Sequence, residues 1–133
     1  EAAGSLFIDL DNPRMGTKKI ADQMVPLLQA GERICFFPEG TSTDGRQILP
    51  FKSNLFQPSI ISGTPVIPVA IRYLDKDNHI STAAGFFGDM TLIQCMSNIF
   101  KNRPLTAEVT FLPATSVLTH KKELSEYCYQ QII

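Results

Sequence analysis

Apolar residues along the chain change their spacing from helical to strand-like and back. Ile20, Met24, Leu27 and Leu28 recur at helical spacing, which predicts a helix over 17–30 with Thr17 as N-cap and Gly31 as its stop. Pro26 falls inside that stretch and is expected to kink it. Continuous apolar runs predict strands at 6–9, 33–37 and 65–73. Pro38 ends the second of these because it has no N–H to donate, and Pro68 places the third at a sheet edge or on a bulge. A short helix over 53–62, disturbed by Pro58, lies between them. Downstream, helical spacing predicts 89–101 and 119–132. Between those two, Ala107, Val109 and Phe111 alternate with Glu108 and Thr110, as in a half-exposed strand over 106–112. Such alternation of elements argues for an α/β layered fold with a largely parallel sheet flanked by helices.

Composition narrows the functional classes. The chain has 133 residues and 44% apolar content, enough for one core and one domain. Twelve Lys and Arg face 13 Asp and Glu, scattered along the chain, so no basic face for nucleic acid or polybasic membrane patch is expected. Cys35, Cys95 and Cys128 stand singly without Cys-x-x-Cys spacing, which argues against a metal site or disulfide framework and for a reducing, cytoplasm-facing setting. No run approaches the roughly 18 to 20 apolar residues that cross a bilayer. Within 85–100, Leu92, Ile93, Met96, Ile99 and Phe100 follow helical spacing after Phe86 and Phe87. That segment reads either as a buried core helix or as a lipid-facing element, although its polar face lacks Lys and Arg.

Chemistry concentrates in Phe37-Pro38-Glu39-Gly40-Thr41-Ser42-Thr43-Asp44-Gly45, where an apolar strand gives way to a carboxylate and small hydroxyl residues. At the carboxyl end of a strand such a loop lies where α/β domains bind ligands. By composition alone it also reads as an ordinary surface turn. His79 and His120 are the only histidines, and both read as solvated loop or helix-start residues.

Three blocks in order carry a resemblance. Gly4-Ser5-Leu6-Phe7-Ile8-Asp9, Phe37-Pro38-Glu39-Gly40-Thr41 and Val66-Ile67-Pro68-Val69-Ala70-Ile71 resemble signature blocks of the glycerophospholipid acyltransferases, which include the 1-acylglycerol-3-phosphate acyltransferases. The form Glu-Gly-Thr-Ser-Thr-Asp-Gly followed by Leu49-Pro50-Phe51-Lys52 looks most like the bacterial lyso-ornithine-lipid type. The family's Asn-His-x-x-x-x-Asp block, whose His is the general base, has no counterpart here, since Ala84 and Ser125 stand five positions after the two histidines. The resemblance therefore implies that 1–133 is the C-terminal portion of a single acyltransferase domain, with the catalytic His and Asp upstream. Members commonly carry Arg after Phe-Pro-Glu-Gly-Thr, where it can hold a phosphate bidentately; Ser42 stands there instead. Leu10 likewise replaces an Arg after the first block, leaving Arg14, Arg46 and Lys52 as the nearest cations for an anion contact.

What the resemblance implies is acyl transfer from an acyl-CoA or acyl-carrier-protein thioester to the hydroxyl of a lysolipid, at the cytoplasmic side of a membrane, with no cofactor and no metal. A hydroxyl is a poor nucleophile until a positioned base takes its proton, and the resulting oxyanion needs donors aimed at it. The backbone of Gly40, Thr41 and Ser42 is a candidate donor set. Glu39 is expected to bind and orient the acceptor, because a carboxylate beside the oxyanion would oppose the reaction. Asp9 is a further candidate at the same end, or caps neighbouring backbone. Two rival readings remain: a non-catalytic lipid or acyl-carrier binding module, and a serine hydrolase using Ser42, although no Gly-x-Ser-x-Gly elbow is present.

Overall fold

The structure, a computed structural model, describes Gly4, residues 13–115 and residues 119–133, with side chains in the first helix described from Lys19 onward. The expected strand at 6–9 and Asp9 lie outside the described residues, as does the side chain of Arg14. In chain order the elements are α1 (Pro13–Gln29), a 3-10 turn (Ser53–Phe56), α2 (Gln57–Ser62), β1 (Val69–Leu74), α3 (Leu92–Lys101), β2 (Thr106–Phe111) and α4 (Lys121–Ile132). The protein is a small mixed α/β structure.

Helix α1 begins at Pro13, so Thr17 lies inside it rather than capping it. Proline is suited to the first helical turn, where its fixed φ is already helical and its missing N–H is not needed. The helix runs on through Pro26 and ends as expected at Gly31, whose φ of 86° no β-carbon tolerates well. Gly31 N–H donates to Leu28 O and Glu32 N–H to Leu27 O, both at 3.0 Å, which satisfies two end carbonyls in a Schellman pattern. Ile20 and Met24 are buried at 5% exposure each, while Leu27, placed on the same face by its spacing, is 38% exposed. Pro58 does not disturb the second helix; it occupies the first turn of α2, after the chain has passed through the 3-10 turn.

The core forms around Phe56, Leu124 and Cys128, with Phe36, Phe51, Leu55, Ile60 and Val66 packed against them. The Phe36 ring meets Phe56 edge-on at 5.2 Å, Phe51 stacks on Phe56 at 6.2 Å, and Tyr129 meets Phe51 edge-on at 5.4 Å. Burial pushes the Cys128 thiol up from 9.0 to about 11. Cys35, by contrast, is exposed. Alkylation by iodoacetamide near pH 8 should therefore modify Cys35 and spare Cys128; equal labelling of both in the native protein would contradict this packing. Because the folded state holds the Cys128 proton more tightly, its contribution is present below about pH 9 and is lost as pH rises towards 11.

The segment 33–37 departs from its expectation. It is extended but joins no ladder, and its residues alternate, with Phe36 in the core and Phe37 74% exposed. An apolar run reads as fully buried, yet here only every second side chain finds the core. Among the described residues the single sheet is β1 with β2, antiparallel, in the register Val69↔Phe111, Ile71↔Val109 and Tyr73↔Ala107. The expected parallel pairing is not present there, because parallel partners would have to come from 6–9, outside the description, and 33–37, which pairs with no other described segment. Pro68 precedes β1, as its lack of an N–H requires, and its carbonyl accepts from Leu112 N–H at 3.0 Å.

The alternation foreseen in 106–112 is real, but the ribbon's apolar face is the open one. Ile71, Tyr73, Val109 and Phe111 are exposed, while the opposite face carries the Arg72–Glu108 ion pair at 2.6 Å. Helix α3 shows the same imbalance. Cys95 is buried at 7%, yet Leu92 and Ile93 are 67% and 81% exposed, so these residues do not bury the helix in a core. Its start is set by Thr91, whose hydroxyl accepts from Gln94 N–H while Gln94 Oε1 accepts from Thr91 N–H at 2.8 Å. Residues 89–91 accordingly stay outside the helix. Thr91→Ala should destabilise α3 by about 1 kcal/mol, read as faster amide exchange confined to that helix.

Candidate functional site

Residues 38–52 form a loop whose two ends are pinned to one ring. Phe36 enters it and Phe51 leaves it, and both pack on Phe56. Lys52 N–H donates to Pro38 O at 2.9 Å and closes the neck. Inside the neck, Leu49 N–H donates to Glu39 Oε2 at 2.7 Å across a partly buried contact. The loop is further tied from below by Tyr129 of α4, whose hydroxyl donates to Ile48 O at 3.3 Å. Excursions of this kind, with adjoining ends and internal ties, present their tips in a fixed shape.

Glu39 is thus partly committed to the loop itself: one carboxylate oxygen holds Leu49, leaving the other for a ligand. Gly40 has φ 71° and donates its N–H to Phe37 O at 3.2 Å, so it drops out of the expected oxyanion donor set. Thr41 and Ser42, both exposed, keep N–H groups that meet no acceptor among the described residues. Lys52 is draped over Gly40; a β-carbon there would meet the lysine amine and would lie 2.8 Å from Cε. Arg46 sits further along, exposed, with its guanidinium 3.8 Å from Asp44. The tip is shaped by Thr43, which donates to Gln47 O and accepts from Gly45 N–H, and by Asp44, which accepts from Arg46 N–H.

Beyond the tip lies a groove of about 260 Å³ that sequence reasoning did not foresee. One wall is Ser42–Gly45, and the other is mixed, with Ile71, Tyr73, Ile80, Ala84 and Phe86 standing beside Arg72 and Ser81. The groove joins the loop to the open face of the β1–β2 ribbon, across residues far apart in sequence. Nothing in the spacing of the sequence brings Ile80 beside Thr43. His79 lies in the turn after β1, where Asp75 accepts from the backbone N–H of both His79 and Asp77 at 2.9 Å. Those bonds, that from His79 foremost, hold the Asp75 carboxyl below its ordinary range. Neither histidine reaches the 38–52 loop in any hydrogen bond among the described residues, and those residues hold no group of three or more His, Cys, Asp or Glu able to bind a metal.

The exposed Thr41-Ser42 tip is thus held over a core ring and lies beside the groove. The model of the Acyltransferase family matches residues 1–72, so both the loop and the extended segment leading into it fall within it. The chain belongs to the acyltransferase family. It is 36% identical over 110 residues to a 1-acyl-sn-glycerol-3-phosphate acyltransferase of Neisseria gonorrhoeae, covering 83% of this chain and 42% of that protein. It is also 32% identical over 134 residues to a lyso-ornithine lipid O-acyltransferase of Rhodobacter capsulatus, covering 96% of this chain and 48% of that protein. A lyso-ornithine lipid O-acyltransferase of Pseudomonas aeruginosa is 29% identical over 135 residues, covering 99% and 50%. The chain thus spans about half the length of these curated relatives. No solved structure matches it.

Proposed function

We propose that this chain forms the acceptor side of an O-acyltransferase that moves a fatty acyl group from a thioester, acyl-CoA or acyl-carrier protein, to the hydroxyl of a lysolipid in membrane lipid synthesis. The observation that carries this is the 38–52 loop, pinned at both ends to Phe56 and open at Thr41 and Ser42 beside a groove whose far wall holds Ile71, Tyr73 and Phe86. Relatives named for both 1-acyl-sn-glycerol 3-phosphate and lyso-ornithine lipid support a lysolipid acceptor.

In this reading the base that takes the hydroxyl proton is the histidine of the family's Asn-His-x-x-x-x-Asp block and not His79 or His120, neither of which makes a hydrogen bond to the loop among the described residues. Thr41 and Ser42 N–H groups are placed to receive charge developing on the thioester carbonyl oxygen. The free oxygen of Glu39 orients the acceptor, Asp9 assists from the first block, and the hydrocarbon tail lies along Ile71, Tyr73 and Phe86. The β1–β2 ribbon is one part of a layered, largely parallel sheet flanked by helices in the complete domain, which accounts for its open apolar face. The enzyme works at the cytoplasmic side of a membrane. No helix among the described residues is long and apolar enough to cross one, so membrane attachment uses a surface contact or other residues.

The test is acyl transfer by the complete protein with labelled acyl-CoA and acyl-carrier protein, each against lysophosphatidate and lyso-ornithine lipid. A diacyl product that persists in Ser42→Ala is expected. Saturable lysolipid binding without product from either donor would favour a non-catalytic binding module instead, and ester hydrolysis abolished by Ser42→Ala would favour a hydrolase.

A further inference from the structure

We infer that Lys52 is the cation that receives an anionic oxygen of the acceptor's headgroup, and that position 40 is glycine so that the lysine can lie across it; this rests on the acyltransferase reading above. Three cations stand near the loop in sequence and a fourth, Arg72, lines the groove but is paired with Glu108 at 2.6 Å; the structure separates those it describes. Arg46 points along the tip towards Asp44 of its own turn, at 3.8 Å, and is 72% exposed. Lys52 instead runs back over the neck, its methylenes and amine filling the space above Gly40.

Its position is fixed from both sides. The backbone of Lys52 is tied to Pro38 O at 2.9 Å, and its carbonyl accepts from Leu55 N–H at 3.1 Å as the 3-10 turn begins. The nearest carboxylate in sequence, Glu39, is turned inward to Leu49 N–H, and no carboxylate lies within ion-pair distance of Lys52 among the described residues. The result is an ammonium lying against Gly40, the residue directly before the exposed Thr41 and Ser42. An ammonium is a compact point charge with three donors and suits a phosphate or a carboxylate oxygen without requiring a bidentate geometry. That tolerance fits an acceptor class in which the anion is either a phosphate monoester or an amino-acid carboxylate. Ser42, at the tip, brings no charge, so the headgroup anion is read from the neck of the loop and not from its tip.

Steady-state acyl transfer by the complete protein tests this with three acceptors: lysophosphatidate, lyso-ornithine lipid and uncharged 1-monoacylglycerol. Lys52→Met should raise the KM for the charged acceptor about 10- to 100-fold, leave the KM for the acyl donor unchanged, and leave transfer to monoacylglycerol nearly as it was. Lys52→Arg should restore much of the loss, and Gly40→Ala should reproduce part of it by displacing the lysine. Which charged acceptor responds identifies the anion as phosphate or carboxylate. An equal loss on charged and uncharged acceptors would mean that Lys52 only props the loop, and a rise confined to the donor KM would place a donor phosphate there; either result overturns the inference. Should the wild-type protein transfer to no acceptor, the acyltransferase reading fails separately. Equilibrium binding of lysophosphatidate in neutral detergent micelles then decides the point for Lys52: weaker binding by Lys52→Met upholds it and unchanged binding overturns it.

Discussion

Glu39→Ala in the complete protein should lower acyl transfer about 10- to 100-fold, while Glu39→Gln should keep a substantial part of it. A backbone N–H that donates to a carboxylate loses roughly 1.5–3 kcal/mol when the acceptor is removed, and each 1.4 kcal/mol is a factor of ten in rate. Leu49 N–H is such a donor, at 2.7 Å and partly buried, and it closes the neck from which Thr41 and Ser42 project. Glutamine retains an oxygen for Leu49 but not the charge, so the two variants separate loop-holding from acceptor binding. If the charge itself engages the acceptor, Gln falls towards Ala and the acceptor KM rises; if shape alone matters, Gln stays near wild type and kcat carries the loss in Ala. Unimpaired transfer by Glu39→Ala would remove Glu39 from the site altogether.

Phe56→Ala should have the largest effect on stability, about 3–5 kcal/mol in chemical denaturation of the complete protein. Phe56 is 1% exposed and contacts two aromatic rings from the opposite ends of one loop, so its removal opens a cavity and releases both anchors together. The loss of activity should therefore precede global unfolding on the denaturant axis, because the loop loses its fixed shape while Leu124 and Cys128 still pack. Coincident loss of activity and structure would show that the loop and the core are one cooperative unit.

Local signals were legible where one residue decides the backbone. Gly31 ends α1 and the alternation of 106–112 forms a strand, each for a reason contained within a few residues, whereas Pro68, expected inside a strand over 65–73, lies just before β1. Signals that depend on partners were not. The run Ile34-Cys35-Phe36-Phe37 has the composition of a buried strand, yet strand identity requires a ladder, and composition does not supply one. Thr17 reads as a plausible cap, yet α1 already begins at Pro13, a residue suited to the first helical turn. In the site, the residue types of Glu39, Gly40 and Lys52 were visible, but their arrangement was not. That Glu39 turns inward to Leu49 and that Lys52 crosses Gly40 follow from the loop closing on Phe56, a contact between residues that no periodicity relates. The groove is the extreme case, since its two walls come from segments about thirty residues apart and join only through the ribbon.

Photo-crosslinking would show whether the 38–52 loop and its groove hold the lysolipid acceptor. The complete protein would be irradiated with two lysophosphatidates, one carrying a diazirine near the headgroup and one carrying it in the acyl chain, and the adducts mapped by mass spectrometry. Headgroup adducts on peptides spanning 39–52 and chain adducts on peptides spanning 71–86, both suppressed by excess unlabelled lysolipid, are the expected result. Competable adducts confined to other parts of the protein would show that the acceptor binds elsewhere and that this loop serves only the fold.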